Sequence, residues 1–185
     1  MVKATLTPSV ILQVSKKECP AVTDSFVRGE VTTTINDTVF SRSSPMRHAA
    51  MLKKVMLRDG APRILLKYTD GGTDQRNTLE AVKCANICLF KEFSLDMLIT
   101  VRCAPVQSYI NPAERVMSIL NYGLQNVATE RKKIDEKTEA LLICCNSSNQ
   151  IREKARDHPF LVEKWKSSVS PVRELLGDRF RRLSL

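Results

Sequence analysis

Two carboxylates stand where an alternating strand–helix chain can do chemistry. Asp70 follows the apolar run Ile64-Leu65-Leu66 and precedes Gly71-Gly72, and Glu114 lies in the first turn of a helix opened by Asn111-Pro112. Ligands of open α/β sheets gather outside the carboxyl ends of the strands. Only a helix and a strand separate the two acids, so a sheet can bring them together. Paired carboxylates suit Mg²⁺, which takes oxygen ligands and keeps positions open for water and phosphate. Two such ions stabilise the attacking and leaving oxygens of a phosphodiester displacement. Each acid also has an ordinary structural role. Asp-Gly-Gly closes a turn, and Asn111 with Glu114 three residues later forms a capping-box pattern.

Other reactive residue types are less organised. His48 follows Pro45, Met46 and Arg47 and reads as a packing or helix-surface residue; His158 precedes Pro159 and reads as a helix-end cation. Neither histidine has an evident nucleophile beside it in the sequence. There is no Gly-x-Ser-x-Gly, no P-loop and no dinucleotide-binding glycine pattern. Of the six cysteines, Cys84 and Cys88 share a helix face, but no Cys-x-x-Cys or nearby His completes a metal set; all six are expected to be small buried hydrophobes. Arg131-Lys132-Lys133 and Arg179, Arg181 and Arg182 are basic clusters that could contact phosphates. Acidic residues interleave with both clusters, the pattern of a solvated helix face.

The elements that must position the acids follow from pattern and punctuation. Val10 to Val14 and the β-branched stretch Phe26 to Ile35 read as strands, with Val39-Phe40 extending the sheet past an Asn36-Asp37 turn. Ser44-Pro45, a cap followed by proline at the first helical position, opens a helix that Asp59-Gly60-Ala61-Pro62 stops. Arg63 to Thr69 reads as a buried strand, Gln75 to Phe93 as a helix, Leu95 to Cys103 as a strand, and Asn111 to about Arg131 as a long helix. Short amphipathic helices follow at Glu136 to Cys145, Asn149 to Asp157, Pro159 to Ser167 and Pro171 to Leu183. The order implies a partly parallel sheet with helices on its faces.

Composition bounds the rest. The chain has 185 residues, of which 43% are apolar and 26% charged, ordinary values for a folded domain. With aromatics at 5%, the core must rely on Leu, Ile and Val. Lys and Arg outnumber Asp and Glu 29 to 20, a formal charge of +9 that favours anionic partners, nucleic acid first. No apolar stretch approaches the ~20 residues of a membrane helix. The start, Met1-Val2-Lys3-Ala4-Thr5-Leu6, lacks the apolar block of a secretory signal, so an intracellular chain with reduced cysteines is expected.

The run of strand, Asp70, turn, helix, strand, loop and Asn111-Pro112-Ala113-Glu114 resembles the second half of a ribonuclease-H-like catalytic core, as in DDE/D transposases and retroviral-type integrases. Tyr68-Thr69-Asp70-Gly71-Gly72 resembles the segment carrying the second acid, and Asn-Pro-x-Glu resembles the third acid's helix in Tc1/mariner-like transposases. Ser43-Ser44-Pro45-Met46-Arg47-His48 and the stretch Ala104 to Asn121 resemble transposon-derived invertebrate proteins. The resemblance covers residues 8 to 131 and implies a ribonuclease-H-like mixed sheet with flanking helices, incomplete at its N-terminus, followed by a helical extension over 132 to 185. It makes Asp70 and Glu114 the second and third catalytic metal ligands, for Mg²⁺. It implies DNA as the partner, which the basic residues Arg131, Lys132, Lys133, Arg179, Arg181 and Arg182 could contact, and the nucleus as the expected location.

Three departures matter. The Asp70–Glu114 spacing is longer than in compact members of the family, and Met117 stands where an aromatic residue is common. The first acid is missing from its place, since Asp24 and Asp37 sit at strand edges as turn residues do. The expectation is therefore a transposase-derived, nucleic-acid-associated domain without catalysis, holding Mg²⁺ weakly. One alternative is a protein-interaction scaffold, with a protein partner or a second copy meeting the C-terminal helices. Another is a Mg²⁺-dependent strand transferase or nuclease whose natural chain is longer.

Overall fold

The computed structural model describes residues 6–14, 29–104, 106, 107, 111–125, 127 and 129–183. Among them the chain is mixed α/β, with ten elements. These are β1 (Leu6–Gln13), β2 (Glu30–Asp37), α1 (Pro45–Asp59), β3 (Ile64–Thr69), α2 (Glu80–Glu92), β4 (Met97–Arg102), α3 (Pro112–Gly123), α4 (Glu136–Ile143), α5 (Ser148–Asp157) and α6 (Phe160–Leu183). The strands form two small sheets: β1 with β2, antiparallel, and β3 with β4, parallel. Asp24, Cys19 and the start of the strand expected at Phe26 lie outside the described residues.

Two compact units group the elements. The first contains Met1–Ser9, Thr33–Arg42 and Ile119–Leu185; the second contains Val10–Thr32 and Ser43–Ser118. Residues 33–42 thus belong with the helical part of the chain, across the division expected at 131/132.

The helical unit is built around Trp165, which is 2% exposed. Val39, Leu142, Cys145, Ile151 and Val169 pack with it, and Leu6, Phe40 and Ile134 close the margin. Asp37 explains why residues 38–40 belong there. Its carboxylate accepts from the backbone N–H groups of Val39 (3.0 Å) and Phe40 (2.9 Å) and from Trp165 Nε1 (3.1 Å). Val39 and Phe40 therefore turn into this core and do not extend the sheet. Arg152 fastens the same turn by donating to the Thr38 carbonyl oxygen at 2.7 Å. Asp135 caps α4, and Ser147 with Gln150 forms a complete capping box on α5.

Two expected helices are one: α6 runs through Pro171. A proline inside a helix removes a hydrogen bond and costs about 3 kcal/mol. Here Trp165 and Val169 before it and Leu176 and Phe180 after it are all buried, so apolar packing on both sides offsets that cost. Conversely, α3 is shorter than expected, stopping at Gly123, whose carbonyl accepts a hydrogen bond from Arg179 Nε.

In the α/β unit, Ser44 caps α1 and Pro45 takes its first position, as the sequence predicts. α1 packs on α2 through Ala49, Ala85 and Leu89, with Leu52 and Phe93 beside them. β3 and β4 pair from Ile64↔Met97 to Thr69↔Arg102. The expectation of a buried strand holds for one face only. Leu65, Lys67 and Thr69 are half-buried, whereas Ile64 is 59% and Leu66 60% exposed. α2 starts at Glu80, five residues later than predicted, because the chain first forms turns through Gln75 N–H to Gly72 O (2.9 Å) and Leu79 N–H to Arg76 O (3.0 Å).

At Gly29 an added Cβ would collide with the Gln13 carbonyl oxygen, so the approach to β2 admits only glycine.

Candidate functional site

The carboxyl end of β3 gathers polar side chains from three segments. Asp70 is exposed, and its Oδ1 accepts from the Gly72 N–H at 3.1 Å, closing a tight Asx turn. Gly71 has φ 76, and an added Cβ there would strike the side-chain carbons of Arg102. Arg102 therefore lies against the loop. A Cβ added at Gly72 would stand 3.4 Å from Asp70 Oδ2 and 3.5 Å from Asp74 Oδ1. The two carboxylates thus flank one glycine.

Asp74 links this loop to the start of α1. Its Oδ2 lies 2.7 Å from His48 Nε2 and accepts from Ser43 Oγ; Ser43 Oγ is also 3.0 Å from His48 Nε2. Burial pushes the Asp74 carboxyl up, but the bonds from Ser43 and His48 outweigh it and hold it below its ordinary value. Sequence reading left His48 without a nucleophile or acid partner. Helix and strand lengths carried the signal. A 15-residue helix climbs about 22 Å and a six-residue strand returns about 20 Å, so the loop after β3 comes back to the first turn of α1.

The arrangement is not a charge-relay triad, because serine and carboxylate both meet the same ring nitrogen, whereas a triad places them on opposite nitrogens. It is a brace that fixes the loop bearing Asp70.

Glu114 is half-buried in the first turn of α3. Asn111, 6% exposed, accepts from the Ala113 N–H at 3.1 Å, and its carbonyl accepts from the Glu114 N–H at 3.0 Å. Asn-Pro-x-Glu is thus a working helix start, with Glu114 placed favourably at the positive end of the helix. Among the described residues no group of three or more His, Cys, Asp and Glu side chains could hold a metal ion. The two acids of β2 are engaged elsewhere. Asp37 holds its turn and Trp165, and Glu30 pairs with Arg58 at 2.7 Å.

The basic residues divide sharply. Arg131 is 8% exposed, binds Glu139 through two hydrogen bonds of 2.6 Å, and stacks 5.2 Å over Trp165. Those bonds, with one from the Ile134 N–H, depress the Glu139 pKa. Arg131 is therefore a structural cation of the helical core and is not presented to phosphate. Arg179 caps α3, and Arg181 pairs with Asp178. The side chain of Arg182 lies outside the described residues. Lys132 and Lys133 are exposed, with the Lys132 N–H anchored to the Ser168 carbonyl at 2.9 Å.

The cysteine expectation changes in part. Cys103 and Cys145 are buried, but Cys84, Cys88 and Cys144 are exposed free thiols. His158 closes α5 as expected, its N–H donating to the Lys154 carbonyl at 3.0 Å. No helix among the described residues is long and apolar enough to cross a membrane. No known family, curated protein or solved structure matches the chain.

Proposed function

We propose that the chain is a transposase-derived, ribonuclease-H-like domain that associates with DNA without cutting it. The observation that carries this reading is the parallel β3–β4 pair. It has Asp70 at the carboxyl end of β3, and an Asn-Pro-x-Glu helix start follows β4. The order β-β-α-β-α-β-α over the same stretch supports it. The proposal that the domain does not cut rests on Asp37 and Glu30, the acids of β2, which are bound to Trp165 and Arg58 and so are not offered to Asp70 and Glu114. DNA affinity rests on the +9 charge and on Lys132 and Lys133 at the surface.

Fluorescence anisotropy with a labelled duplex tests binding. Affinity is expected to fall steeply between 50 and 200 mM salt, and a Lys132→Glu, Lys133→Glu variant to bind more weakly and with a shallower slope. No binding at low salt rejects the reading. Nicking of supercoiled plasmid in Mg²⁺ or Mn²⁺ is expected to be absent. Nicking that Asp70→Asn and Glu114→Gln abolish would instead restore an enzyme.

A further inference from the structure

We propose that Cys84 and Cys88 of α2 form a two-thiolate site for a soft monovalent cation, Cu(I). Both are exposed free thiols. The helix buries Val82, Ala85 and Leu89, and Asn86 meets Lys67 of β3 through a 2.8 Å hydrogen bond. The two cysteines therefore lie off the packed face, one turn apart on the side turned to solvent. A spacing of four in a helix sets their Cβ atoms about 5–6 Å apart. A disulfide needs about 3.5–4.5 Å, so the intact helix keeps the pair from closing on itself. A linear sulfur–metal–sulfur bridge with bonds of about 2.3 Å spans about 4.6 Å, which the two Sγ atoms reach from those Cβ positions by rotation about χ1.

The donor set decides which ion. Glu80 stands one turn before Cys84 and Glu92 one turn after Cys88, but Lys83 holds Glu80 at 2.8 Å and Lys53 holds Glu92 at 2.5 Å. That leaves the helix offering two thiols. Mg²⁺ and Ca²⁺ take oxygen ligands, and Zn²⁺ takes about three or four ligands from the protein. Cu(I) is satisfied by two thiolates in line and favours soft sulfur over carboxylate. Binding is an exchange without a redox change. Each thiol gives its proton to solvent, two sulfur–copper bonds form, and the copper stays monovalent. The bis-thiolate complex carries one negative charge. Lys91, exposed and three residues beyond Cys88, neighbours it on the helix surface and offsets that charge.

Anaerobic titration of the reduced full chain with Cu(I), against the chromophoric competitor bicinchoninate, tests this independently of DNA binding. The chain should withdraw an equimolar amount of Cu(I) from the competitor, and X-ray absorption at the copper edge should show sulfur neighbours in a two-coordinate site. Cys84→Ser and Cys88→Ser should each weaken binding about a hundredfold, since either leaves a single thiolate. Cys144→Ser, which removes an exposed thiol elsewhere in the chain, should leave it unchanged. On the wild-type chain, copper should protect Cys84 and Cys88, but not Cys144, from alkylation, a readout that needs no variant to fold. Copper that stays with the competitor overturns the inference. So does binding that survives both single variants, or protection confined to other cysteines, since either would place the ion elsewhere. A copper-dependent dimer in sedimentation velocity overturns it too, because the ion would then be shared between two chains.

Discussion

The two units solve the same burial problem to different degrees. Around Trp165 the helical unit surrounds an aromatic side chain on all sides with Val39, Leu142, Ile151 and Val169, and supplies partners for its polar atoms in Asp37 and Arg131. In the α/β unit, α1 and α2 bury Ala49, Ala85 and Leu89 between them, while the outer face of the sheet stays bare. The helical core is self-sufficient. The sheet has polar side chains gathered at its carboxyl end and a bare apolar outer face. Stability and function should therefore respond to substitution in different units.

The largest expected effect is in the helical core. Trp165→Ala removes the largest fully buried side chain and leaves Asp37 and Arg131 without their ring partner, so a loss of about 4 kcal/mol is expected in urea unfolding. An effect below about 1 kcal/mol would mean that this core does not hold the unit together. Next comes Glu139→Gln. It leaves the buried Arg131 guanidinium without its anion, for a loss of about 3 kcal/mol, whereas Arg131→Met combined with Glu139→Met should recover most of it. If the single and double variants are equally unstable, the ion pair is not the cause.

What the sequence made legible divides along the same line. Local signals were read correctly: Ser44-Pro45 at α1, Asn111-Pro112 at α3 and the strands on either side of α2. Misreadings arose where tertiary contacts decide. Asp37 looks like a turn residue and is one, but its bond to an indole 128 positions away has no local trace. Ser170-Pro171 reads as a helix start until buried residues on both sides carry α6 through it. The apolar run Ile64-Leu65-Leu66 reads as buried because composition cannot say how many layers cover a strand. At the candidate site, Asp70 was found from its position after a strand. Asp74 and His48 were missed because their partnership depends on where α1 begins relative to the end of β3.

A smaller effect is expected at that brace. Asp74→Asn weakens the ties to Ser43 and His48 and should cost about 1 kcal/mol, by urea unfolding at neutral pH. The Asp74 pKa is depressed in the folded state, so its contribution is present above the ordinary value of 3.8 and fades as pH falls through the lower folded value. Asp135 and Glu139 follow the same sign. The wild-type chain should therefore lose stability on acidification through that window, and Asp74→Asn should lose less over the same interval. Parallel curves for the two proteins would show that Asp74 makes no such contribution.

The smallest effect should be a gain. Lys67 lies on the covered side of β3, where burial pushes its pKa down and its Nζ donates to Asn86 Oδ1 at 2.8 Å. An ammonium there loses hydration and recovers one neutral acceptor, an unfavourable exchange. Lys67→Met keeps the length of the side chain and removes the charge, so a gain of about 1 kcal/mol or less is expected. The pH dependence identifies the cause. Because the folded pKa lies below the unfolded value near 10.5, the unfolded chain binds more protons between the two, and wild-type stability rises with pH across that interval. The Met variant should lack this rise, so its advantage shrinks as the solution becomes alkaline. A constant advantage at every pH would trace the gain to packing, and the inner face of the sheet would then be as apolar in its demands as the outer face.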